Sequence, residues 1–185
     1  MEVQNISPVP SAMRWGAILG LVGVATSTLN FAMGGFAPEN QDSGITKIIQ
    51  FAMYAIIILV LVVATQQHRD RELGGFMSYG RGLGLGALIG LFYGLIASLT
   101  TFVILQYLMP IDYADKMMEV AQQKMMEGNP NMTEEQAEMG LSMARKFMTP
   151  SWMSIFVLLG SVFMCFFFSL IVSAFVKKSN PDELN

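Results

Sequence analysis

The sequence predicts an all-α fold: an integral membrane four-helix bundle with an extramembrane helical hairpin between its third and fourth spans. Three observations carry that expectation. Of 185 residues, 53% are hydrophobic and only 14% are charged, whereas soluble domains carry about 25% charged residues. Four stretches are apolar over the roughly 20 residues that a helix needs to cross about 30 Å of hydrocarbon. Between the last two lies a charged, amphipathic segment that is too long for a structureless loop in a compact protein.

The predicted spans cover residues 15–36, 45–66, 83–109 and 152–176 of a single membrane domain, 1–185. Lys47, near the mouth of the second, is the only Asp, Glu, Lys or Arg within them. Pro38, Gly74-Gly75, Pro110 and Pro150 punctuate their ends, and proline suits both a helix stop and the first turn of a new helix. The first apolar run exceeds the 7–15 residues of a signal-peptide core, so an uncleaved helix is expected. Arg14, Arg69, Arg71, Arg81, Lys177 and Lys178 flank the spans on one side, against Lys47, Glu39 and Asp42 in the short loop between the first two. The positive-inside rule then predicts cytoplasmic N- and C-termini, with 111–149 facing outward.

Segment 111–149 reads as two helices. Asp112 and Asp115 offer anionic groups to a first turn after Pro110, and Gly128-Asn129-Pro130-Asn131 breaks the run. Thr133-Glu134-Glu135-Gln136 then has the form of a capping box. Ala137, Gly140, Leu141, Ala144, Phe147 and Met148 recur at helical spacing, and Tyr113, Met117, Val120 and Ala121 mark a matching stripe. Ten of the 16 methionines fall between Met109 and Met153. Thioethers can ligate Cu(I), but neighbouring sulfurs in Met117-Met118 and Met125-Met126 point about 100° apart on a helix, so adaptable packing is the expected role. No metal or cofactor is expected.

Gly82, Gly86, Gly90, Gly94 and Ser98 form a small-residue series along the third span, a glycine zipper that lets a neighbouring backbone approach closely. It is expected to serve as a helix-packing or oligomer seam. Ser161, Cys165, Ser169 and Ser173 repeat the spacing in the fourth span, and Gly16, Gly20, Gly23 and Ser27 offer small residues in the first. Polar residues within the spans are Thr26, Ser27, Thr28, Asn30, Thr100, Thr101 and Gln106. Serine and threonine can bond one turn back; Asn30 lies near the outer end, within reach of water or headgroups. His68, the only histidine, is expected at the inner boundary as an interfacial residue. It has no partners for a triad or zinc site. Arg69, Arg71, Arg81, Lys177 and Lys178 are candidate contacts for anionic headgroups. Trp15, Trp152, Tyr79 and Tyr107 suit the two interfacial belts.

Several function classes are excluded at this point. A net charge of -3 and a pI near 5.1 give no basic field for nucleic acid, and one cysteine supports neither a disulfide framework nor an all-cysteine metal site. No Walker loop, dinucleotide fingerprint or paired intramembrane carboxylates occur.

Two runs carry a resemblance. One is Gly74-Gly75-Phe76-Met77-Ser78-Tyr79-Gly80, which opens the glycine-rich span. The other runs from Met132-Thr133-Glu134-Glu135-Gln136 through Lys146-Phe147-Met148-Thr149-Pro150 into a last span ending Phe175-Val176-Lys177-Lys178. Together they resemble the bacterial four-helix membrane proteins grouped as domain of unknown function 4199, over nearly the whole chain. The resemblance implies a cytoplasmic-membrane protein of Gram-negative bacteria, implies no activity and supplies no catalytic residues. The expected function is non-enzymatic association or scaffolding through the third helix, with membrane lipids, a homo-oligomer or another membrane protein as partners and no nucleic acid. The alternative is a small oligomeric transporter or channel.

Overall fold

A computed structural model describes residues 6–129 and 133–178. Glu2 and the Pro130-Asn131 half of the predicted break, with Met132 after it, lie outside the described residues. The described chain is helical, running α1 (Val9–Ala32), a 3-10 turn (Pro38–Asn40), α2 (Gly44–Gln67), α3 (Tyr79–Val103), α4 (Tyr113–Gly128), α5 (Glu134–Arg145) and α6 (Pro150–Val176). π-helical turns extend α2 through His68–Glu72 and α3 through Ile104–Leu108. With those turns included, α1, α2, α3 and α6 span 24, 29, 30 and 27 residues and are long and apolar enough to cross a membrane.

The first helix is displaced towards the N-terminus relative to the predicted 15–36. Pro10 in the first turn needs no amide partner and presets φ, so the helix starts well before Trp15. It stops at Ala32 because Gly34 takes a φ of +72°, a left-handed conformation that ends helices. Gly74 and Gly75 at φ +67° and +95° turn the chain between α2 and α3. The capping box at α5 is formed: Gln136 N–H donates to Thr133 Oγ1 at 3.3 Å and Thr133 N–H to Gln136 Oε1 at 3.2 Å. Asp112 does not cap α4 with its side chain; its carboxylate pairs with Lys116 at 2.8 Å.

Helix α3 is the centre of the bundle, packing most extensively on α6 and then on α1, while α2 lies against α6 and α1. Lipid tails are as apolar as leucine, so close approach of backbones has to supply the contact energy between spans. The glycine series does this. A Cβ added at Gly82 would meet Ser173, one at Gly86 would meet Ser169, and one at Gly90 would lie 2.8 Å from Cys165 Cβ and 3.0 Å from the Ser161 carbonyl oxygen. At Gly94 it would lie 3.0 Å from Leu158 Cδ1. The two small-residue stripes are therefore zipped together within one chain, and α6 covers the groove on which a second copy would have to seat. Ser98, one turn beyond Gly94, is half-exposed, and its hydroxyl donates to the Leu95 carbonyl. On the α1 side, Gly16 meets Phe92 and Gly20 meets Ile96.

The apolar core occupies the half of the bundle nearer His68. Leu19, Leu61, Ala64, Leu85 and Ile89 are fully buried there. At the opposite end, α4 contacts both α5 and the Pro38–Asn40 turn. Asp115 and Arg145 form an ion pair between α4 and α5, Gly140 lies beside Met125, and Ala137 and Leu141 are buried.

Candidate functional site

One group of polar side chains of the spans lies at the α4 end, apart from Thr65, Ser169 and Ser173, which are buried in the half nearer His68. Helix α1 brings Thr26, Ser27 and Asn30 to one face by the spacing of a helical turn. Helix α2 contributes Thr46 and Gln50, again four apart, and α3 contributes Tyr93 and Thr101 flanking Ala97. These residues line an open cleft of about 420 Å³, with Gly35, Phe36 and Gln41 of the α1–α2 connection at its rim and Ile49, Met53 and Val157 completing its wall. Small-molecule sites typically occupy about 300–1,000 Å³ and mix apolar walls with a few convergent polar groups.

Two glycines shape the wall. The Tyr93 ring lies against Gly23, where a Cβ would come 3.0 Å from Cε2, and the Asn30 amide folds over Gly35, where a Cβ would come 2.0 Å from Oδ1. Asn30 Oδ1 is buried and, among the described residues, has no hydrogen-bond partner. The Thr26 hydroxyl donates to the carbonyls of Val22 and Gly23 at 2.9 and 3.0 Å, so it faces the cavity as an acceptor. Gln50 donates one N–H to the Tyr54 hydroxyl at 2.9 Å, which leaves Oε1 and a second N–H. A short network fixes the rim: Asn40 donates to the Gly34 carbonyl, Thr46 to the Asn40 carbonyl and Ser43 to Thr46, all between 3.0 and 3.1 Å.

Helix α4 meets this rim from above. The Gln41 amide points at Met117 Sδ at 3.1 Å, and Lys124 pairs with Asp42, which also sits 3.5 Å from Lys47. The hydrogen bond from Lys124, followed by the charges of Lys124 and Lys47, holds the Asp42 carboxyl below its ordinary range. Burial pushes the Tyr113 phenol on α4 up.

Four of the polar residues named from the sequence line the cavity: Thr26, Ser27, Asn30 and Thr101. Thr28 and Thr100 do not; their hydroxyls donate to the Val24 and Ile96 carbonyls. Gln106 lies exposed in the π turn that ends α3. Sequence reasoning missed Gln41, Thr46, Gln50 and Tyr93. The signal available for three of them was a shared four-residue spacing of polar positions at matching depth: Thr26–Asn30, Thr46–Gln50 and Tyr93–Ala97–Thr101.

At the opposite end the candidate headgroup cations divide. Arg69 donates to the Val176 carbonyl at 2.8 Å and pairs with Asp70 at 2.6 Å, and Arg81 donates to the Ile6 carbonyl. Lys178 exchanges two backbone hydrogen bonds with Met77, and its ammonium sits 5.4 Å from the Phe76 ring centre. Arg71 and Lys177 are exposed. His68 is fully buried rather than interfacial, because the π turn carries it inward; Nδ1 lies 2.6 Å from a Glu72 carboxylate oxygen. Among the described residues no cluster of three or more His, Cys, Asp or Glu side chains could hold a metal ion.

A family model described as a protein of unknown function, DUF4199, matches residues 14–178. The chain belongs to the DUF4199 family. Neither the comparison with curated proteins nor that with solved structures returned a match. The DUF4199 match takes in α1 from Arg14 onward, the other three long helices, α4, α5 and every residue of the cavity wall.

Proposed function

We propose that this DUF4199 chain is a non-enzymatic, multi-pass protein of the bacterial cytoplasmic membrane that binds a small solute in the cavity from the outer face. One observation carries the reading. Hydroxyls and amides from three helices converge on a 420 Å³ cleft at one end of the bundle, while the other end is packed around fully buried Leu19, Leu61, Leu85 and Ile89. Polar groups inside a membrane span are costly and mark ligand or solute paths. The packed half beyond the cleft, with Leu19, Leu61, Leu85 and Ile89 fully buried, supports binding over free passage. The lining supports binding over bond chemistry as well, since amides and hydroxyls are weak acids and bases near neutral pH.

Orientation follows from Arg69, Arg71, Arg81 and Lys177, which cluster at the His68 end and favour the cytoplasm. The cavity then faces outward, beneath a hairpin formed by α4 and α5. Arg71 and Lys177 remain to meet anionic headgroups, each contact being worth about 1 kcal/mol. Association through the glycine series is the weaker reading, since α6 already occupies it.

The test uses the full chain in lipid nanodiscs and in sealed proteoliposomes. Saturable binding of members of a mixed small-solute library, seen by ligand-observed NMR, is expected, together with liposomes that hold an ion gradient. A sustained ion leak would instead indicate an open pore, and no saturable binding would remove the solute site.

A further inference from the structure

We infer that the cavity's solute is neutral and rich in hydroxyl groups, a polyol or monosaccharide in chemical class. This rests on the reading of the cavity as a solute site and adds the identity of what fills it.

Charge is the first constraint. No carboxylate, ammonium or guanidinium group lines the wall, so an ionic solute would leave water without a counter-charge, which costs far more than moving a neutral polar group. The second constraint is the balance of donors and acceptors. Asn30 lines the wall with its Oδ1 turned onto Gly35, and Thr26 has spent its proton on the backbone. Gln50 retains one N–H and its carbonyl oxygen, while Ser27, Tyr93 and Thr101 carry hydroxyls that both donate and accept. A wall of mixed polarity is satisfied best by groups that also do both. Hydroxyls meet that need, whereas a carbonyl only accepts and an ammonium only donates. The third constraint is the apolar remainder. Phe36, Ile49 and Met53 alternate with the polar residues and suit the C–H faces that a polyol or sugar ring presents between its hydroxyls. At about 420 Å³ the space lies near the small end of ligand pockets, which fits a molecule of that size without a long tail.

The test presents the full chain in nanodiscs with two panels followed by ligand-observed NMR. One holds glycerol, erythritol, ribose and glucose; the other holds acetate, lactate, ethanolamine and ammonium. Saturable binding confined to the neutral panel is expected. Thr101→Val, which keeps the side-chain shape, is expected to weaken it about three- to tenfold, the weight of one neutral hydrogen bond. Asn30→Leu is expected to weaken it by about tenfold or more, and unchanged thermal unfolding of Thr101→Val keeps the result interpretable if Asn30→Leu fails to fold. Charged solutes that bind in dependence on Thr101 and Asn30 would overturn the class while leaving the solute site in place. Neutral solutes indifferent to both substitutions would be bound elsewhere and would overturn it too. No binding from either panel would remove the site itself and this inference with it.

Discussion

At Gly90 an added methyl group would press on three atoms of α6, all of them backbone or Cβ atoms that cannot rotate away. Gly90→Ala is therefore expected to force α3 and α6 apart and to lower stability by about 1–3 kcal/mol, the usual cost of overpacking. Gly84 is the control. It lies on the same helix with nothing within 4 Å of an added Cβ, so Gly84→Ala is expected to be neutral or to stabilise by up to about 1 kcal/mol through helix propensity. Unfolding of both variants in mild detergent, with oligomer size measured alongside, separates close packing from a general intolerance of alanine. The glycine spacing was legible in the sequence, but its partner was not, because a small-residue face is equally suited to a helix of the same chain and to a second copy. His68 shows the opposite limit: a polar residue beside Arg69 and Asp70 reads as interfacial, and only the π turn places it inside. Asn30 reads from the sequence as a group that water or headgroups can reach, whereas the fold of its amide over Gly35 depends on how α1 ends.

Helix α4 joins the site to the solvent. Its hold on the loop above the cavity runs through Lys124 with Asp42 and Gln41 with Met117. The folded-state pKa of Asp42 is lowered, so the folded protein binds fewer protons there than the unfolded chain. The stabilisation it gives is complete above the ordinary carboxylate value and is lost as pH falls through the lower folded value. Hydrogen exchange of α4 amides is accordingly expected to quicken below the ordinary carboxylate range, and to quicken at neutral pH in Asp42→Asn or at high salt, since the pair is exposed and screened. Exchange that is indifferent to all three conditions would show that α4 is held by other contacts. Thr133→Ala removes the cap of α5 and is expected to cost about 1 kcal/mol of local stability, read as faster exchange in its first turn. Capping and amphipathic spacing made α4 and α5 legible one by one. Their docking on the Pro38–Asn40 turn was not, because Gln41 and Asp42 lie far from Met117 and Lys124 in sequence and no local pattern links the two pairs.

Across the whole molecule the division of labour follows depth. The half nearer His68 is closed by leucine, isoleucine and the glycine–serine zipper, and the half nearer α4 is left polar. The number and order of the long apolar helices were legible because a bilayer demands long uncharged runs. The cavity was not, because each helix contributes only two or three polar residues to it, and convergence appears only when three helices are brought together. The measurement that tests this most directly is thiol accessibility from the two sides of a sealed membrane. In a Cys165→Ala background, Ser27→Cys and Thr101→Cys are compared with Leu99→Cys, whose native side chain is 65% exposed on the flank of the bundle that would face lipid. A membrane-impermeant thiol reagent applied from the outer face is expected to label the first two and spare the third, and to label none from the cytoplasmic face. Labelling of Thr101→Cys no faster than Leu99→Cys, or labelling only from the cytoplasmic side, would contradict a hydrated cavity opening outward.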